Sequence, residues 1–333
     1  MATIVETLTD YALPLRFEHL PPDVVHQAKR LLIDTLGCAI GGFGGEPSVV
    51  ARALAESVSS RQPATVLGTG RETSPDLATF ANGVMIRYLD FNDGYTSQES
   101  GHPSDAIAAV LSPAEIVHGD GRSVITATVL AYEVFCRLCD AVSVRARGFD
   151  HVTHGVVAST AGAAKAMGLS RAQTIQALNM SVAANSALYQ TRIGDVSLWK
   201  GCAFANASRN AVFAAMLAAQ GLTGPSPIFE GPGGFFNAVS RGPFALAPFG
   251  GDRDEALRAG VLARSRATRA GGEGEGHRLR RGESPGARGH AERGRDRDRR
   301  GRARHRHRSV SPRPLEESHD RRGDRSQVPR AGR

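Results

Sequence analysis

The composition of the chain changes abruptly near residue 250, and this change limits which part can fold. Residues 251–333 contain 24 Arg and 13 Asp plus Glu, but no Lys, Phe, Tyr, Trp, Ile, Met, Cys or Asn. A segment with so little apolar surface cannot offset the conformational entropy lost on ordering, so we predict a disordered Arg- and Gly-rich tail there. Residues 1–250 have the composition and size of one domain with a single hydrophobic core.

The formal charge divides at the same place. Of 41 Lys plus Arg and 33 Asp plus Glu, residues 251–333 hold 24 and 13, which leaves 17 and 20 in residues 1–250. The total of +8 is therefore −3 on residues 1–250, which we call the body, and +11 on residues 251–333, which we call the tail. Nucleic acid binding through the tail remains a remote alternative. The interspersed acids and the lack of aromatic residues for base stacking argue against it.

The cellular location follows from what the chain lacks. The four cysteines form no disulfide framework, and the first residues lack the basic and apolar pattern of a leader peptide. No apolar run approaches the roughly 20 residues needed to span a bilayer. We therefore expect a cytoplasmic protein with no membrane partner.

Hydrophobic spacing predicts helices along most of the body. Helix starts are indicated at Pro22, at Pro75 after Ser74, and after Ser170, where residues 170–173 (SRAQ) have the form of a capping box. Residues 171–188 and about 203–220 are predicted as helices. Strand-like stretches are short, and the best of them is residues 64–67, so the fold class is mainly α.

A first cluster of polar residues follows the helix predicted from Pro75. Asp90 and Asp93 lie at its C-terminal end, where carboxylates oppose the helix dipole, which suggests another reason for their presence. His102 precedes a proline and is therefore held in an extended conformation that suits projection into a cleft. Ordinary loop and surface residues are the alternative interpretation.

A second cluster contains Arg192 and Lys200. Lys200 and Gly201 stand close to a predicted helix start, where free backbone N–H groups and a lysine together could bind a carboxylate or phosphate. A surface lysine in an ion pair is the alternative.

His151 and His154 form a third group, for which we find no third metal ligand at a recognised spacing. Cys136 and Cys139 form a lone CxxC motif, which favours buried helix cysteines over zinc or redox chemistry.

Five stretches in order resemble the MmgE/PrpD family. They are residues 32–38 (LIDTLGC), 89–93 (LDFND), 102–103 (HP), 197–202 (SLWKGC) with Asn206, and 229–236 (FEGPGGFF). Each is weak alone, but the ordered set over about 240 residues is specific. The forms around Gln190 and Lys200 are most similar to the 2-methylcitrate dehydratases of the family.

The resemblance implies a large all-α domain, a smaller α/β domain, a homodimer, and an active site between the domains that needs no metal or cofactor. It implies a lyase that removes a proton next to a carboxylate of a small di- or tricarboxylate. By motif match, Asp90, Asp93 and His102 would be catalytic, with Lys200 binding substrate. His154 is our first candidate for a further catalytic histidine and His151 the second, while Arg192 is a candidate for substrate binding.

The resemblance ends near residue 250, where family members continue into their α/β domain. A GC-rich gene translated in another reading frame would give a sequence rich in Arg, Gly, Ala and Pro. We therefore expect residues 251–333 to result from a frameshift that replaces the second domain. The chain would then be a dehydratase of this type or an inactive fragment of one. Cis-aconitate decarboxylase and iminodisuccinate epimerase chemistry, also found in the family, remain alternatives.

Overall fold

The computed structural model describes residues 2–250. The expectations for 251–333, a disordered tail and a frameshift, fall outside the described residues. Within them, the α-helices are α1 (Ile4–Ala12), α2 (Pro22–Gly42), α3 (Glu46–Ala55), α4 (Pro75–Tyr88), α5 (Ala108–Ile116), α6 (Gly121–Ala141), α7 (Val152–Ala166), α8 (Arg171–Ala184), α9 (Trp199–Ala219) and α10 (Phe235–Ala238). Short 3₁₀ helices cover Phe17–His19, Pro103–Ala106, Arg145–Arg147 and Tyr189–Arg192.

The strands between these helices are short. β1 (Ala64–Val66) pairs antiparallel with β2 (Arg71–Thr73), and β3 (Tyr95–Thr96) pairs antiparallel with β4 (Ser100–Gly101). The strand predicted at 64–67 is confirmed with one residue fewer. Helices thus supply nearly all the packing surfaces of residues 2–250, and the mainly-α prediction is confirmed.

Helix α7 lies at the centre of the body. Every residue from 152 to 164 is buried, and α5, α6, α8 and α9 pack around it. Glycine permits the closest approach, because a Cβ atom on Gly155 would lie 2.5 Å from the ring of Phe204 on α9. The predicted CxxC cysteines are buried on α6, in agreement with the structural interpretation.

Local signals set most of the helix starts. α2 begins with Pro22 at its first position, and the predicted box before α8 is present, since Ser170 and Gln173 exchange side-chain to backbone hydrogen bonds. Ser74 stands at the N-cap of α4, but its hydroxyl bonds the Asp76 carboxylate at 2.6 Å instead of capping a backbone N–H group.

Two helix boundaries differ from the prediction around residues 185–199. α8 ends at Ala184, four residues early, because residues 187–189 pair with residues 148–150 instead. The Asp150 N–H donates to the Ala187 carbonyl at 2.8 Å, and the Tyr189 N–H donates to the Gly148 carbonyl at 2.9 Å. α9 begins at Trp199, so Lys200 lies inside its first turn and not before it.

The last described residues return to the beginning of the chain. The ring of Phe249 stacks on Tyr11 of α1 at 4.7 Å between centroids, and the Gly250 N–H donates to buried Glu133 at 3.0 Å. Glu230 accepts from the Ile4 N–H at 2.7 Å. α1 is therefore secured by residues more than 200 positions away.

The surface of α2 carries an apolar stripe, formed by Ile33, Leu36 and Ile40. Ile33 is 72% exposed and Ile40 is 77% exposed. The opposite face, with Val24, Ala28, Leu31 and Thr35, is buried as its spacing predicted. Among the helices of residues 2–250 we find none with the length and hydropathy that crossing a bilayer demands.

Candidate active site

A cavity of about 410 Å³ opens where the end of α4, the β3–β4 hairpin, the turn before α7 and the segment leading into α9 meet. Its lining consists of Arg87, Asp90, Gly94, Tyr95, Thr96, Ser100, Gly101, His102, Arg145, His151, Tyr189, Arg192 and Lys200. Four predicted site residues therefore come together from distant parts of the sequence: Asp90, His102, Arg192 and Lys200. Asp93 and His154 lie outside the lining.

Asp90 connects the charged groups on one side of the cavity. It adopts a left-handed backbone conformation with φ of 54°, which is uncommon for a residue other than glycine and is often found at functional sites. Its carboxylate binds Arg87 and lies 3.4 Å from Nζ of Lys200 and 3.8 Å from Nε2 of His102. Burial raises the pKa of Asp90, but the charge and hydrogen bond of Arg87 outweigh it and bring the pKa to about 2.

Asp93 lies behind the cavity and is 2% exposed. Its carboxyl group accepts hydrogen bonds from the backbone N–H of Ser104 at 3.1 Å and from the Tyr132 hydroxyl at 2.6 Å. Burial raises the pKa of this carboxyl group. Its backbone carbonyl contacts Nδ1 of His102 at 2.6 Å, so Asp93 fixes the orientation of that histidine through the main chain.

His102 presents one ring nitrogen to the cavity. Because a carbonyl oxygen only accepts, Nδ1 must carry the proton that it donates to Asp93, and Nε2 is left without a proton in the neutral ring. Burial, the charge of Arg87 and the neighbouring His151 lower the pKa of His102 to about 3. The imidazole is therefore neutral near pH 7 and can accept a proton at Nε2.

His151 repeats this arrangement on the other side. Its Nδ1 lies 2.8 Å from Oδ1 of the buried Asp150, which is also bound by Nε of Arg192 at 2.6 Å. Burial raises the pKa of Asp150, but the bonds from His151 and Arg192 hold it below its usual value. Nε2 of His151 is buried and has no hydrogen-bond partner among residues 2–250. The ring centroids of His102 and His151 are 6.0 Å apart.

His154, the first candidate for the further histidine, lies elsewhere. It is fully buried within α7, and its Nε2 contacts the carbonyl of Val142 at 3.0 Å. Burial lowers the pKa of His154 to about 4. The second candidate, His151, immediately precedes α7 and lines the cavity, whereas one helical turn further the side chain enters the core.

The two predicted cationic residues take different positions at the cavity. Lys200, in the first turn of α9, reaches Asp90 across the opening and is 42% exposed. Arg192 is nearly buried and bonds Asp150 through Nε and Nη2. Lys200 is therefore available to an incoming anion, and Arg192 mainly fixes the carboxylate beneath His151.

Sequence reasoning missed Arg87, Arg145 and Tyr189. Arg87 is 4% exposed, and its Nε lies 3.3 Å from the carboxylate of Asp105. Burial raises the pKa of Asp105 to about 7, against the influence of Arg87. A buried arginine near the end of a helix carries no local signature, although its spacing of three residues from Asp90 was visible. The cavity thus presents Arg87, Arg145, Arg192 and Lys200 around His102 and His151.

Metal ligation has no obvious place in this arrangement. Among residues 2–250 we find no group of three or more His, Cys, Asp or Glu side chains that could hold a metal ion. The metal- and cofactor-free site implied by the family resemblance stays a prediction.

Comparison with known proteins gives this cavity a context. The chain is 31% identical over 244 residues to the 2-methylcitrate dehydratase of Cupriavidus necator, which covers 67% of this chain and 49% of that protein. It is 30% identical over 258 residues to the 2-methylcitrate dehydratase of Escherichia coli K12, covering 72% and 51%. An alkylcitrate dehydratase from a fungal species is 31% identical over 239 residues.

The chain spans about half the length of the curated relatives it matches. The family match itself extends over nearly the whole described body, because residues 6–247 match the MmgE/PrpD N-terminal domain. It includes every residue that lines the cavity. The chain therefore belongs to the MmgE/PrpD family.

Proposed function

We propose that this body is the acid–base and carboxylate-binding part of a hydro-lyase that dehydrates a small hydroxy di- or tricarboxylate. The observation that carries the proposal is the pair of histidines, His102 and His151. In each of them Nδ1 is fixed by an oxygen acceptor, both side chains line one cavity, and that cavity has four cationic residues in its lining. The relatives named as 2-methylcitrate and alkylcitrate dehydratases support this reaction class.

Dehydration requires a base for the carbon-bound proton and an acid for the departing hydroxyl group. Nε2 of His102 accepts the proton next to a carboxylate, and the electrons of that C–H bond form the new C=C bond. Nε2 of His151 donates a proton to the hydroxyl group, which leaves as water. Substrate carboxylates favour the protonated form of His151 that this step needs, and Asp150 stabilises it.

The cationic groups have a separate role in this scheme. Lys200 binds a substrate carboxylate, and Arg87 stabilises the negative charge that develops when the proton is removed. Asp90 holds both cations in place. Decarboxylation and epimerisation next to a carboxylate share the proton transfer, so they remain alternatives for the same site.

Activity of the full chain on 2-methylcitrate and citrate tests the proposal, followed through the absorbance of the unsaturated product. We expect His102→Gln to lower kcat/KM by about 10²–10⁴-fold, the usual contribution of a positioned acid–base group. The matched control is His26→Gln, which changes an exposed histidine on α2 and should retain activity.

The outcomes separate three cases. A loss below tenfold in His102→Gln would overturn the assigned role of His102. A full chain that binds citrate but does not dehydrate either acid would indicate an inactive fragment of such an enzyme. Absence of both binding and turnover would contradict the carboxylate site itself.

A further inference from the structure

Arg145 is a fixed cation at the cavity that the acid–base scheme does not use. It begins the 3₁₀ helix Arg145–Arg147, lines the cavity and is 40% exposed. Its Nη2 lies 3.0 Å from Oε1 of Glu99 and 3.3 Å from the Ser100 carbonyl. The hydrogen bonds that we find for this guanidinium within residues 2–250 leave from Nη2, so Nε and Nη1 can serve a ligand.

Glu99 holds Arg145 through both main chain and side chain. It is 2% exposed and accepts from the Arg145 N–H at 2.9 Å, the Ser100 N–H at 3.0 Å and the Ser143 hydroxyl at 3.1 Å. Burial raises the pKa of Glu99, but the bonds from Arg145 and Ser100 more than compensate, and the pKa is lowered. The buried carboxylate therefore stays ionised and fixes the arginine before any ligand arrives.

Tyr189, from a different segment of the chain, lies beside the guanidinium. The Cζ atom of Arg145 lies 5.4 Å from the Tyr189 ring centroid, within the range of a cation–π interaction. The Tyr189 N–H donates to the carbonyl of Gly148, directly after the 3₁₀ helix. The pairing of residues 148–150 with 187–189 thus sets the distance between the two side chains.

The other cations of the cavity have different anchors. Lys200 and Arg87 bind Asp90, and Arg192 bonds Asp150 through two nitrogens. Arg145 alone among the lining cations is held by Glu99. Its separate anchor leaves Arg145 available for a carboxylate other than the one bound at Lys200.

We propose that Arg145, positioned by Glu99 and Tyr189, is a specificity residue that binds the outermost carboxylate and favours tricarboxylates over dicarboxylates. The proposal rests on the carboxylate-binding function proposed for the same cavity. A planar guanidinium suits this role because it can form two parallel hydrogen bonds with one carboxylate.

Calorimetric titration of the full chain with citrate and malate provides the test, because malate is citrate without one carboxymethyl arm. We expect Arg145→Ala to weaken citrate binding by roughly tenfold or more, and malate binding by less than twofold. Arg145→Lys should recover part of the citrate affinity. The matched control is Arg147→Ala, which removes the same charge from the same 3₁₀ helix but from a side chain that does not line the cavity.

Equal losses for the two acids, or no loss for citrate, would overturn the specificity role while leaving the proposed function intact. A wild-type chain that binds neither acid would overturn the proposed function and this inference together. Thermal unfolding of each variant verifies folding. Should Arg145→Ala unfold, Arg145→Gln provides the same comparison of the two acids.

Discussion

The three histidines near the cavity differ in what surrounds Nε2. His102 and His151 line the cavity, and in both of them Nδ1, not Nε2, bonds the oxygen acceptor. In His154, Nε2 itself is occupied by the Val142 carbonyl within the core. Under the proposed function, the same residue type therefore serves chemistry in two cases and packing in the third.

The buried position of His154 predicts a pH dependence of stability. Its pKa is lowered from 6.5 to about 4, so below pH 6.5 the unfolded chain binds a proton that the folded chain does not. Stability from this residue is therefore fully present above pH 6.5 and is lost as the pH falls toward 4. The slope is about 1.4 kcal/mol per pH unit for one proton.

Denaturant unfolding of His154→Gln at pH 7 and pH 5 measures this effect. The substitution can change the free energy of unfolding at pH 7 by any amount. Between pH 7 and pH 5, we expect this free energy to fall less in the variant than in the wild type. His26→Gln should retain the wild-type slope. Parallel slopes for wild type and His154→Gln would contradict the assignment.

At the level of elements, sequence patterns located most helices because the determining signals are local. Pro22, the Ser170–Gln173 box and the buried face of α2 all act within a few residues. The end of α8 and the start of α9 were misplaced, because pairing of residues 187–189 with 148–150 is a tertiary interaction. No local sequence signal around residue 185 indicates that this segment pairs with residues 148–150.

The site was predictable to the same extent. Asp90, His102 and Lys200 were found through motifs, and the structure brings them together at one cavity. Arg87 and Arg145 were missed because their importance comes from buried carboxylates, Asp105 and Glu99, on other segments. Such pairs become visible only when the fold juxtaposes them.

The crossing of α4 and α9 connects the fold to the site, since Asp90 follows the end of α4 and Lys200 lies in the first turn of α9. A Cβ atom on Gly83 would lie 2.9 Å from Cβ and 3.1 Å from Cα of Ala205. Gly83→Ala must therefore separate the two helices. We expect a net loss of about 1–3 kcal/mol in unfolding free energy, measured by denaturant titration.

Gly37 in α2 is the matched control for this substitution. A Cβ atom there meets nothing within 4 Å, so Gly37→Ala should stabilise the protein by about 0.5–1 kcal/mol through reduced backbone entropy of the unfolded chain. Similar effects of the two substitutions would contradict the close-packing explanation for Gly83.

For the whole molecule, the apolar stripe of Ile33, Leu36 and Ile40 is the feature most relevant to assembly. Exposed contiguous apolar side chains promote association. The homodimer implied by the family resemblance remains a prediction.

Replacement of the stripe tests whether it drives self-association. We expect Ile33→Lys combined with Ile40→Lys to shift the full chain toward smaller species in sedimentation velocity, because charged side chains oppose burial of this surface. The control His26→Lys adds charge on the same helix without removing apolar area. An unchanged size distribution in the double variant would exclude the stripe as the association surface.

The attachment of α1 to residues 230–250 has a consequence for synthesis. A ribosome makes α1 first, yet the carboxylate for Ile4 and the ring for Tyr11 come from Glu230 and Phe249. α1 therefore lacks the contacts with Glu230 and Phe249 until almost the entire body has left the ribosome. α1 can already pack on α7 and α8 at that stage, where Lys165 and Arg171 bind it. The contacts from Glu230 and Phe249 are added last, so a nascent chain stopped before residue 230 lacks both of them.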